Sequence, residues 1–288
     1  MTLSPRRSLR CLALGALMLS APQAVSAQER AALKLTDIPK GRLSRAFGGA
    51  FSKYVSVFGV HIFATRRTGD AKVLHAASVM AQYLDNDADG RPDDPKVIEA
   101  MTRIDAFLAM TADEDEFERL DHDAFHDHGF EHGQNLFDDE TNPGGGRFDA
   151  SLEEVLHLIS DKGYARAYPK AFAARPGSAL AKAMDIARGG HFKRIPRRYP
   201  KEAWYHYDDE SCDYSCMITE YFYWALTSLL GAQAAPERQR EIAREWELPT
   251  RALLLKRDQA VARLLTDKRY KLPTRLPDGD YKPKAKRR

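Results

Sequence analysis

Residues 151–160 read Ser-Leu-Glu-Glu-Val-Leu-His-Leu-Ile-Ser, and the reading of this stretch decides the fold. The pattern predicts an amphipathic helix over 151–160. Positions i and i+4 share one helix face, so Glu153 and His157 can hold a single metal ion, with Glu154 beside them. The same residues admit a plainer account. Ser151 at an N-cap and Glu154 three residues later would form a capping box, and acids in a first turn suit the helix dipole.

A second helix, 217–230, carries one charge. From Met217 to Leu230 only Glu220 is ionisable in the acid–base sense of Asp, Glu, Lys or Arg, and it sits among Ile218, Tyr221, Phe222, Trp224, Ala225 and Leu226. A helix apolar on nearly every face is buried, and a carboxylate on it needs a cation or a good donor. A metal meets that need. So does a buried arginine, a tyrosine hydroxyl, or the N–H groups of the helix's own first turn.

Glu153-Glu154-Val155-Leu156-His157 matches the zinc-peptidase pattern His-Glu-x-x-His except at its first position. On these residues, with Glu220 downstream, the chain resembles a divergent member of the zincin metallopeptidases, of the gluzincin type. The order strand–helix–strand–strand–helix ahead of the motif is similar to the zincin upper subdomain, and the short strand 134–138 lies where zincins keep a substrate-pairing edge strand. The resemblance covers roughly residues 50–232. It implies zinc, or another divalent transition metal, held by Glu153, His157 and Glu220, and Glu154 as base for a metal-activated water. It also implies a peptide or protein substrate and an oxyanion donor from Trp204-Tyr205-His206-Tyr207, with Tyr207 and His206 as candidates. A Glu-His-Glu set carries more negative charge than one with two histidines, so it makes water harder to ionise and suits metals other than zinc. The implied hydrolase is then slow, adapted or inactive, or takes nitrogen from His206, His191 or another histidine.

Asp85-Asn86-Asp87-Ala88-Asp89-Gly90 is a D-x-D-x-D-G run with Asp93 at its ninth position. Carboxylates on alternate residues can converge on a calcium ion when the chain bends, and Gly90 permits the bend. The expected ligands are Asp85, Asp87, Asp89, Asp93 and the Arg91 carbonyl. Lys96 occupies position twelve, where an EF-hand has glutamate, so the run resembles the shorter calcium loops of extracellular modules, with Asp94 a candidate replacement. The alternative is a solvated polar turn.

Outward from these motifs, residues 54–65 read as a strand, 70–84 as a helix, 97–101 as a short helix, and 105–111 and 134–138 as further strands. Beyond Ser151 the pattern is helical, over 177–188, 217–230, 236–246 and 250–266. The expected fold is α+β, with a small sheet and backing helix in the N-terminal half and a helical C-terminal half. Residues 28–50 read as a linker or loose arm, 51–266 as one domain (51–162 above, 163–266 below), and 267–288 as a mobile basic tail.

Arg6, Arg7 and Arg10, an apolar run from Cys11 to Leu19, and Val25-Ser26-Ala27 have the layout of a cleavable signal peptide over 1–27. The expected location is therefore secreted or periplasmic. Losing three arginines from 44 basic residues leaves 41 against 41 acidic ones. That balance argues against a nucleic-acid binder. No later segment is long and apolar enough to span a membrane. Cys212 and Cys216 remain after processing, and four apart in an oxidising compartment they are expected to bridge. His122, His126, His128 and His132 punctuate an acidic stretch between Asp113 and Glu140, which is a solvated segment or a weak metal trap. The trap is the basis of a competing expectation, an exported calcium- and transition-metal-binding protein without catalysis. A weaker third is an envelope protein holding an anionic polymer with its basic tail.

Overall fold

Residues 33–284 are described in a computed structural model, and the expected signal peptide, with Cys11, lies outside the described residues. The run 54–65, expected as one strand, is a hairpin. β1 (Lys53–Val57) and β2 (Val60–Ala64) pair antiparallel with Val57 opposite Val60. Phe58 and Gly59 take φ of 51° and 90°, the positive values that a two-residue turn between twisted strands requires.

The chain then crosses over. α1 (Arg42–Phe47) precedes the hairpin, and α2 (Asp70–Leu84) and α3 (Pro95–Arg103) follow it before β3 (Phe107–Thr111) returns parallel to β2. α4 (Glu114–Glu118) and α5 (Asp123–His126) lead to β4 (Gly133–Phe137), parallel to β3. Strand order is β1-β2-β3-β4, so β4 has an open outer edge among the described residues.

Alternation along the strands divides the interior in two. Ile62, Leu108, Met110 and Leu136 join the main core, to which α2 contributes Val73, Ala77 and Met80 and α6 (Ser151–Leu158) contributes Val155 and Leu156. Phe63, Phe107 and Ala109 join a smaller, aromatic core with Phe47, Phe51, Phe125 and Phe130. Phe47 stacks on Phe63 with centroids 3.8 Å apart, so the segment 42–47 is packed rather than the loose arm expected of 28–50.

After α6 the helix widens into a π-helical turn, Ile159–Tyr164, then continues through α7 (Ala165–Ala167), α8 (Pro169–Phe172), α9 (Ala179–Ala187) and α10 (Tyr214–Leu230). Last come α11 (Pro236–Ile242), α12 (Arg251–Arg257) and α13 (Gln259–Leu265). The single helix expected over 250–266 is interrupted at Asp258, whose carboxylate caps Val261 N–H and accepts from Trp204 Nε1 and Tyr221 Oη. The fold is α+β, with a mixed four-stranded sheet. Cys212 and Cys216 are bridged just ahead of and within the first turn of α10, with Cα atoms 5.4 Å apart. No helix among the described residues is long and apolar enough to cross a membrane.

The tail, expected to be mobile, instead lies between Thr274 and Lys284 along the end of α2 and the acidic loop. Asn86 Oδ1 accepts from the amides of Thr274 and Arg275, and Gln82 Oε1 from those of Asp278 and Gly279. Tyr281 Oη donates to Asp85 at 2.5 Å, and Lys284 reaches the carbonyls of Asp87 and Ala88. Lys and Pro density told of no periodicity, and these contacts are made by backbone amides that composition does not reveal.

Candidate metal centre

α6 and α10 pack together and bring Glu153 and His157 of the one to the lone acid of the other. His157 Nε2 lies 3.3 Å from Glu220 Oε1 and 3.7 Å from Glu153 Oε1. One ligand atom from each of the three residues lies within 4.8 Å of the others. His157 is 8% exposed at its side chain, and Glu220 14%. Glu220 sits in the second turn of α10, where the first-turn amides of Ser215 and Cys216 are already taken by Asp213. Among the described residues no lysine or arginine pairs with it. Its compensation is the shared cluster, not a local arginine or its own helix terminus.

The spacings carry chemical information. An imidazolium donating directly to a carboxylate closes to about 2.7–2.9 Å. Two ligands set tetrahedrally about one cation at about 2.0–2.1 Å stand about 3.3 Å apart. At 3.3 and 3.7 Å, the Nε2–oxygen separations leave a group that could hold a cation. His157 Nδ1 is buried without a partner, so the ring is aimed by packing, including contact with Tyr223 at 5.5 Å between centroids.

The capping box is not formed. Ala150 is the N-cap of α6, Ser151 Oγ donates to Asp149, and Glu154 is free of the helix terminus. Glu154 instead accepts from Gln134 Nε2 of β4 at 2.6 Å. Burial pushes Glu154 up to about 7, with Glu153 adding repulsion, while His157 and Gln134 oppose the rise. Burial likewise raises Glu220 to about 7 against the pull of His157. For His157 burial alone disfavours the charged ring, but Glu220, Glu153 and Glu154 outweigh it and raise the group to about 9.

No family model, curated protein or solved structure matches the chain. The centre is therefore read from its own geometry.

Tyr207 and His206 take different sides of the extended segment that bridges at Tyr205 to Trp246. Burial raises the Tyr207 hydroxyl far above its ordinary range, and Glu220, Asp209 and Glu153 add to the rise. His206 packs against Tyr199 and lies 4.0 Å from Glu247, in a groove with Arg194, Arg197 and Arg198. None of these contacts joins it to Glu153, His157 or Glu220. His191 pairs with Asp185 and supplies no nitrogen to the cluster.

In the acidic loop Asp85, Asp87 and Asp89 converge within 4.8 Å, and Gly90 has the positive φ of 83° expected of it. Asp93 accepts from Asn86 N–H; burial raises it, with Asp87, Asp85 and Asp89 close enough to add to the rise. Asp94 is not a replacement ligand. It caps α3 through Lys96 N–H and accepts from Tyr168 Oη. The Arg91 carbonyl accepts no hydrogen bond among the described residues. His122, His126, His128 and His132 form no group of three or more ligating side chains among the described residues; His122 bonds the Phe117 carbonyl.

Sequence reasoning missed Gln134, Tyr223, Gln233, Arg238 and Glu245, which surround the cluster. Burial raises Glu245, and Asp208 and Glu153 add to it. Gln134 lay on an anticipated strand and Tyr223 one turn past Glu220, but neutral polar residues carry no charge whose burial demands explanation.

Proposed function

We propose that the chain is an exported, metal-dependent, peptidase-like hydrolase with Glu153, His157 and Glu220 as the ligand set. The observation that carries this reading is the 3.3 and 3.7 Å spacing of two carboxylates around one buried imidazole, with Glu154 on the adjoining helix position. The donor set suits zinc or another divalent transition ion. Bound there, such an ion supplies Lewis acidity, polarising a carbonyl oxygen and acidifying water. Glu154, poised near 7, accepts the proton of water as its oxygen adds to the scissile carbonyl carbon, then delivers that proton to the amine as the C–N bond breaks. Gln134 holds the carboxylate in place. The Tyr207 hydroxyl, kept protonated by burial and nearby acids, donates to the developing oxyanion. An extended peptide has the open edge of β4 to pair with, next to Gln134. The likeness to zincins is supported by the ligand spacing and the position of Glu154.

The acidic loop is proposed to take calcium through Asp85, Asp87 and Asp89, with Asp93 and the Arg91 carbonyl as the further donors of the proposal. Its role is structural, fixing the exit of α2. The bridged cysteines accord with a secreted or periplasmic location.

The test is elemental analysis of protein purified without chelators, paired with hydrolysis of a mixed peptide library. Wild type holds one transition ion, His157→Ala loses it, and Glu154→Gln keeps it while losing hydrolysis by roughly 10²–10⁴-fold. Wild type that holds the ion but cleaves nothing supports the noncatalytic metal-binding alternative. Wild type without the ion ends both.

A further inference from the structure

Arg188, the C-cap of α9, is fully buried, and no acid pairs with it among the described residues. Asp185, three residues earlier, is taken by the Tyr214 hydroxyl and by His191. The carboxyl end of α9 supplies only a partial negative charge, about half a unit, against the full unit of the guanidinium. Arg188 Nε is buried without a partner. The rest of the fork gathers the chain that follows: Nη1 donates to the Phe192 carbonyl at 2.8 Å, and Nη2 reaches the Arg194 carbonyl at 3.5 Å. The guanidinium also packs over the rings of Phe192 and Tyr199, 5.3 and 5.6 Å from their centroids. A buried cation left short of negative charge favours an anion nearby.

The loop gathered in this way is itself cationic. Lys193, Arg194, Arg197, Arg198 and Lys201 are all exposed, and no acid among the described residues pairs with any of them. Tyr199 ties down the far limb, its Oη donating to the Tyr207 carbonyl at 2.6 Å. Arg194, Arg197 and Arg198, with Tyr199 and His206, line a cavity of about 640 Å³, a size that suits a small molecule. Guanidinium forks on a backbone already held in place match the oxygens of phosphate and carboxylate groups. A single phosphate would leave most of that volume, and at least one fork, unused. Asp208 and Glu210 also line the cavity and pair with none of these arginines among the described residues. Their charge repels a continuous polyanion laid across the site and so favours a compact ligand.

We propose that the cavity bounded by Arg194, Arg197 and Arg198, above buried Arg188, binds a small molecule carrying two or more clustered oxyanion groups, phosphate or carboxylate. The site shares no residue with the Glu153, His157 and Glu220 cluster. The inference therefore stands whether or not that centre holds a cation.

The experiment titrates pyrophosphate, and in a second arm tricarballylate, into chelator-stripped full chain. It is run at about 0.15 M ionic strength, where loose association of exposed charges is largely screened. One equivalent of at least one probe binds, and the tighter of the two tells phosphate from carboxylate. Arg197→Ala combined with Arg198→Ala weakens that binding roughly 10–100-fold, the loss expected for a hydrogen bond between charged groups. Both side chains are exposed, so the ligand-free melting temperature stays at the wild-type value. If the double variant melts lower, Arg194→Gln decides by the same comparison. No binding of either probe up to about 10 mM overturns the proposal. Equal affinity in wild type and variant also overturns it. So does an affinity that climbs with chain length in a series of linear polyphosphates, because the ligand would then be a polymer held by the whole basic loop.

Discussion

Gln134 sets how readily Glu154 gives up its proton. Burial favours the neutral acid, and the Gln134 N–H stabilises the carboxylate. Gln134→Leu removes that donor, so the Glu154 pKa rises further. The acidic limb of the kcat/KM profile then moves to higher pH by roughly 1 unit, the worth of one hydrogen bond to a charged group. A limb that stays in place would show that another group is the base. At this scale the sequence disclosed Glu153, His157 and Glu220, because a charge within an apolar helix demands compensation. It misjudged Ser151, whose hydroxyl serves Asp149 rather than the helix amides.

Gly163 lies in the π-helical turn that follows the metal-centre helix. A Cβ there would stand 2.7 Å from Val97 Cγ1 and 3.2 Å from Met101 of α3. Gly163→Ala must push α3 away and is expected to destabilise by about 1–3 kcal/mol, read as a lower midpoint in urea. Asp87→Ala removes one carboxylate from the acidic loop. Its melting temperature falls by about 2–4 °C in millimolar calcium and stays at the wild-type value in chelator. Equal melting in both conditions would mean that the loop holds no ion. Elements with a clean period were legible: α2, β3, β4 and α10 lie close to their expected places. The β1–β2 turn was not, because Phe58 and Gly59 continue an apolar run without a polar break. The interruption between α12 and α13 was not either, because Asp258 falls inside an unbroken helical period and its partners, Trp204 and Tyr221, are remote in sequence.

For the whole molecule, the buried cluster of Glu154, His157 and Glu220 makes stability fall as pH rises. Glu154 and Glu220 are raised from 4.5 to about 7, and His157 from 6.5 to about 9, so all three bind protons more tightly folded than unfolded. Their contribution is complete at low pH and is lost progressively between about 4.5 and 9. A cation at the centre displaces the protons of His157 and Glu220, so its affinity grows over the same span. Melting curves with and without the transition ion should therefore diverge from pH 5 to pH 9; parallel curves would contradict the shared ligand set. The α+β layout was legible at this scale, because strands with helices precede helices alone. The fate of the tail was not, since pairings across 196 positions leave no mark on local pattern.

That tail has a consequence for biosynthesis. Gln82 meets Asp278 across 196 positions, and Asp85 meets Tyr281 at the same separation. A ribosome releases Gln82 and Asp85 long before the residues that cover them, so the acidic turn waits bare until the chain has grown to Tyr281. A product clipped or stalled short of Tyr281 never receives its seal.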